Sequence, residues 1–147
     1  MKKKAGFTLI ELLVALSIIT ALFGCSLINV KNYAVVGNKI DVEIFGNCLV
    51  NFIVTSKKYC RDNNTGGYLY FLQSKNTIQL SCNSNVIKKV KMPEGFSDLY
   101  INRAGSKIFI DNKGFTSDAC TIMFKDRSGG AHYITISVGT ANVDFKG

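Results

Sequence analysis

Glu11 is the residue whose chemistry its surroundings least explain. It lies in an apolar run from Phe7 to about Val30 that holds no other charge. A carboxylate at the centre of a bilayer helix costs about 2.5–3.5 kcal/mol, and less near an end. Such a group needs a partner. Lys2, Lys3 and Lys4 stand ahead of the run, and no Lys or Arg lies between residues 5 and 30. The partner is therefore expected from another molecule, or from a newly made amino terminus.

The other reactive side chains are few. There are five cysteines. Cys25 falls in the apolar run, where a small apolar residue on a buried helix face is expected. Cys48, Cys60, Cys82 and Cys120 follow it and are candidate disulfide partners. Four cysteines allow three full pairings, and spacing does not choose among them. They are too widely spaced for the tight ligand pairs of a zinc site, so no metal is expected. His132 is the only histidine. A nucleophilic triad would have to use it, and its place after Gly129-Gly130 reads instead as an edge or turn histidine. No glycine-rich loop precedes a lysine in the manner of a phosphate cradle. The chain is thus expected to be neither an enzyme nor an ATPase, and to need no cofactor. Lys88, Lys89 and Lys91 cluster among Val86, Ile87, Val90 and Met92. Lysines of this kind guard a sheet edge. The alternative is contact with DNA phosphates, joined by Lys107, Lys113, Lys125 and Arg127, with Tyr68, Tyr70 or Tyr100 stacking on single strands.

These residues need elements to hold them. Residues 7–58 contain no proline and read as one long helix. Its first part, 7–30, is apolar all round and long enough for a bilayer, which takes about 20 residues. Its second part, 31–58, is amphipathic. Val42, Phe45, Cys48/Leu49 and Phe52/Ile53 form one stripe, with Asp41, Glu43, Asn47, Asn51 and Lys57 on other faces. Gly24, Gly37 and Gly46 interrupt the helix, either for close packing or for local softening. The loop 61–67 follows, and then period-two alternation predicts strands at 68–72, 77–82, 86–92, 97–102, 107–111, 120–125, 132–138 and 141–146. The expected class is α+β, with antiparallel sheets in 59–147 covering the amphipathic half of the helix.

The whole is 147 residues, 47% apolar and 19% charged, with a formal charge of +8. About 115 residues beyond the membrane segment suffice for one globular domain. Loss of Lys2, Lys3 and Lys4 would leave fifteen basic against ten acidic side chains. That moderate excess favours polyanions or simply solubility. The lysines ahead of the run predict a single-pass protein with a cytoplasmic N-terminus and an extracytoplasmic C-terminal domain.

Gly6-Phe7-Thr8-Leu9-Ile10-Glu11, preceded by lysines and followed by an unbroken apolar helix, resembles the class III signal of type IV pilins and pseudopilins. The resemblance implies a leader, 1–6, removed by a prepilin peptidase after Gly6. It implies N-methylation of Phe7, and pairing of Glu11 with the amine of a neighbouring subunit in a fibre. Partners would be other pilins or pseudopilins and an inner-membrane assembly platform with a separate ATPase motor. Further on, Lys107 to Gly114, Cys120 to Phe124, Ser128-Gly129-Gly130 and Ile134 to Ser137 are similar to the head domain of H-type minor pseudopilins and their competence relatives. That pattern usually closes with glycine-arginine-valine, where this chain has Thr140-Ala141-Asn142-Val143. The implied function is a minor pilin or pseudopilin, in a DNA-uptake pseudopilus first, then a type IV pilus, then type II secretion. The rival is a membrane-anchored binding module that never polymerises. Leu22-Phe23-Gly24-Cys25 faintly resembles a lipobox, with acylation at Cys25.

Overall fold

The computed structural model describes residues 8–103, 105–137 and 143–146, with the side chains at 25–32 and 146 outside that set. Gly6, Phe7, the leader and the Cys25 side chain lie outside it, as does Thr140-Ala141-Asn142. The chain divides into two compact units, Met1–Gly37 and Asn38–Gly147, which are described separately.

Helix α1, Leu9–Asp62, crosses the boundary and runs for 54 residues. It outlasts the expected end at Lys57-Lys58 by one turn. Asn64 takes a left-handed conformation, φ 49°. Its N–H donates to Arg61 O at 3.1 Å, and the Thr65 N–H donates to Cys60 O at 2.9 Å. This pair of bonds satisfies carbonyls of the last turn and reverses the chain, with asparagine where glycine is usual. The left-handed asparagine fixes the helix end.

In the second unit eight strands form two four-stranded antiparallel sheets. The strands are β1 Gly67–Leu72, β2 Thr77–Cys82, β3 Asn85–Lys91, β4 Ser97–Ile101, β5 Lys107–Ile110, β6 Cys120–Lys125, β7 Ala131–Ile136 and β8 Val143–Lys146. The first sheet has the order β3-β2-β1-β5 and the second β4-β6-β7-β8. The α+β class and antiparallel pairing expected from the alternation are observed. Turn chemistry sets the register. Between β2 and β3, Asn83 and Ser84 both have positive φ, at 48° and 66°, and Cys82 faces Asn85. Such a two-residue turn matches the twist of the strands it joins.

One core joins the helix to both sheets. Val42, Phe45, Leu49, Phe52, Ile53 and Cys60 of α1 are buried with Leu69, Leu80, Ile108, Ile122, Phe124 and Ile134. Phe45 lies edge-on to Phe124 at 5.0 Å between centroids and to Phe96 at 5.8 Å. Two details of the predicted stripe differ. Leu49 faces the core and Cys48 faces solvent. Lys57, expected on a polar face, is buried. Burial lowers its pKa. Gly46 is a close-packing position, since a Cβ there would lie 2.5 Å from the Phe145 ring of β8. Gly24 and Gly37 meet nothing within 4 Å among the described residues.

Candidate assembly and processing site

In the first unit, Thr8 is the N-cap of α1 and Glu11 its third residue. The Thr8 N–H and hydroxyl both donate to Glu11 Oε2, at 2.9 and 3.0 Å. The Glu11 N–H points back at Thr8 Oγ1 across 3.4 Å. This is a capping box, which satisfies donors that the helix leaves open at its start. The carboxylate thus finds donors in its own chain, a partner additional to those expected from outside it. The signal was present in the sequence as Thr8-x-x-Glu11. Among the described side chains of the run, Ser17 and Thr20 are also satisfied internally. Ser17 donates to Val14 O at 2.8 Å, and Thr20 donates to the Leu16 and Ser17 carbonyls. What faces outward is Leu9, Ile10, Leu12, Leu13, Val14, Leu16, Ile18 and Ile19, all exposed. An apolar surface this extensive is a surface for lipid or for other subunits. Among the described residues no helix is long and apolar enough to cross a membrane. The side chains at 25–30, part of the expected span, lie outside them.

The four cysteines of the second unit are not equivalent. The sulfurs of Cys60 and Cys82 are 4.0 Å apart and buried. Cys120 is buried elsewhere, at the start of β6, and Cys48 is exposed on α1. Burial pushes the Cys120 thiol up to about 11, against the opposing charges of Arg103 and Lys57.

The lysines of the basic cluster lie on β3, an edge strand, where Lys88, Lys89 and Lys91 are exposed. Arg127 is not beside them. It sits in the β6–β7 turn, where its guanidinium meets Asp41 of α1 at 2.6 Å and donates from Nε to Glu94 O at 3.0 Å. It also covers the Phe96 ring. Its first role is to hold the turn against the helix.

Sequence reasoning missed the most ordered polar cluster, although an aspartate opening a Ser-Gly-Gly turn is a signal for it. Asp126 accepts from the Ser128 N–H and hydroxyl, both at 2.7 Å, and from the Gly130 N–H at 2.9 Å. His132 Nε2 lies 2.9 Å from its other oxygen. Burial would raise the Asp126 pKa, but the hydrogen bonds from His132, Ser128 and Gly130 win and hold it far below the carboxylate range. His132 Nδ1 has no partner among the described residues. A hydrogen on Nε2 therefore suits the site, leaving the unpaired nitrogen as an acceptor. His132 fastens a hairpin, and Ser128 points at the carboxylate rather than at the imidazole.

Residues 1–24 match the family described as the prokaryotic N-terminal methylation motif. The fold matches a solved minor pseudopilin, EpsH from the type 2 secretion system of Vibrio cholerae. Identity is 7%, coverage is 72% of this chain and 96% of that one, and the TM-score is 0.56. The chain joins a prepilin-type motif to a pseudopilin fold. No curated protein matches its sequence significantly. As a pilin-like chain it carries a signal that implies processing by a prepilin peptidase, membrane anchoring and assembly with other pseudopilins.

Proposed function

We propose that this chain is a minor pseudopilin. It is cut after Gly6, methylated on Phe7, and built into a fibre through α1. The observation that carries the reading is the methylation motif at 1–24 leading into a helix whose apolar side chains from Leu9 to Ile19 are exposed. The positively charged leader keeps the N-terminus cytoplasmic and the head outside, in a single pass. In the fibre the Glu11 carboxylate meets the amine of a neighbour's Phe7. An unpaired charge in an apolar core is costly, so this pairing selects the axial step. Assembly is driven by a separate ATPase at an inner-membrane platform. Mass spectrometry of the N-terminal peptide from native membranes tests this. Methylated Phe7 is the expected terminus. Uncut Met1, or an acylated Cys25, would make the protein a tethered module instead.

Two host machines have an observation each in their favour. A DNA-uptake pseudopilus is supported by the basic head and the exposed lysines of β3, with a type IV pilus close behind. A type II secretion pseudopilus is supported by the fold shared with EpsH. DNA retardation by the protein over a range of salt concentrations separates them. Phosphate contacts by Lys88, Lys89 and Lys91 require binding that weakens steeply as salt rises.

A further inference from the structure

Cys60 and Cys82 come from different elements and meet in the core. Cys60 is the last buried residue of α1, and its carbonyl is held by the Thr65 N–H at 2.9 Å. Cys82 ends β2, paired with Asn85 across the Asn83-Ser84 turn. Each backbone is pinned by its own hydrogen bonds, and the two sulfurs are left 4.0 Å apart. The third wall of the site is Gly67, the first residue of β1. A Cβ there would lie 2.7 Å from Cys82 Sγ and 3.1 Å from Cys60 Sγ. Only a residue without a side chain leaves room for both sulfurs. A disulfide needs the sulfurs at about 2 Å, and a modest turn of the two side chains covers that gap. Neither of the other cysteines of the head competes. Cys48 faces solvent on α1, and Cys120 lies at the start of β6, in the other sheet.

We infer that Cys60 and Cys82 close a disulfide as the head folds, tying the end of α1 to β2, while Cys48 and Cys120 stay thiols. The inference rests on the export reading only for where the oxidant is met. A thiolate of the pair attacks the disulfide of a small-molecule or protein thiol oxidant and forms a mixed disulfide. The second cysteine then displaces the oxidant's remaining sulfur. Two electrons and two protons leave the pair, and the oxidant departs as two thiols. The order of events follows from burial. Cys60 is 0% exposed and Cys82 5%. Burial, and then the neighbouring Cys82 thiol, hold the Cys60 pKa well above the usual thiol range. The folded dithiol therefore offers little thiolate for exchange. The bond forms while the core is still closing, and afterwards it is out of reach of reductants.

The test uses the full chain in detergent, reduced and unfolded, then refolded in a mixture of reduced and oxidised glutathione. Free thiols are blocked with iodoacetamide, and the protein is digested with trypsin without reduction. The expected product is one species linking Tyr59–Arg61 to Asn76–Lys88, which reduction separates. Cys48 in Ile40–Lys57 and Cys120 in Gly114–Lys125 are expected to carry the alkyl group. Alkylated Cys60 and Cys82, or a link from either to another cysteine, would overturn the inference. A C48S/C120S variant must keep the linked species. A C60S/C82S variant must lose it, and its melting temperature must be the same whether it is refolded with dithiothreitol or with the glutathione mixture. The linkage in the unmutated protein decides the matter even where a variant folds poorly. In protein from native membranes the same digest reports the N-terminus. An uncut leader there would sink the processing reading and leave the cysteine result intact.

Discussion

Asp126 shows how one side chain can organise a turn and then make it sensitive to acid. Its oxygens take four hydrogen bonds from three residues, Ser128, Gly130 and His132. Because its folded pKa lies below the unfolded one, its stabilisation is complete above the unfolded value of about 3.9. It is lost as pH falls from there through the folded value. The melting temperature should therefore drop steeply below about pH 4, and less steeply in Asp126→Asn. At neutral pH Asp126→Ala strands the Ser128 and Gly130 N–H groups and should cost about 2 kcal/mol, read by urea denaturation. Thr8 offers a second test at this level. Thr8→Ala removes the N-cap hydroxyl and should weaken the first turn by about 1 kcal/mol. Faster hydrogen exchange at the amides of residues 9–12 in detergent would register it.

Helix α1 and the strands meet at positions where there is no room for a side chain. Gly114, between β5 and β6, combines φ +82° with a Cβ position 2.8 Å from the Lys57 carbonyl. Gly114→Ala therefore strains the backbone and pushes this corner off the helix. A loss of about 1–3 kcal/mol is expected, seen as a lower melting temperature. Gly46→Ala differs, because the obstacle is the movable ring of Phe145. There the roughly 1 kcal/mol gained in helix propensity offsets part of the crowding. All eight strands lie within a residue or two of where the alternation places them, because strands such as β1, β2 and β6 set one face in the core and the other outward, while the edge strand β3 has no fully buried residue. The helix runs one turn past residue 58, because the left-handed asparagine that stops it resembles any loop residue in sequence.

For the molecule as a whole, the division at Gly37 and Asn38 separates a helix with no core of its own from a head with a continuous one. Residues 38–147 produced alone should unfold in a single cooperative step and remain monomeric, as calorimetry and sedimentation would show. The full chain should require detergent, because the exposed leucines and isoleucines of 9–19 have no cover within the described chain. The Cys60–Cys82 link spans 22 residues, for which chain entropy gives about 3 kcal/mol. That is a large share of the stability of a domain this size. In the fibre, Glu11→Val should abolish incorporation while leaving the melting of the head unchanged. Electron microscopy paired with circular dichroism would distinguish an assembly defect from a folding defect.

The motif Gly6 to Glu11, the apolar run and the alternating strands are local patterns, set by neighbours within a turn or a strand pair. They were legible from residue order and gave the class, the antiparallel sheets and the prepilin-type signal. Which cysteines meet, which carboxylate holds Arg127 and why Lys57 is buried depend on contacts between elements remote along the chain. Those contacts are fixed only when the amphipathic half of α1 settles on both sheets, because side chains find partners in space and not at any set spacing in sequence.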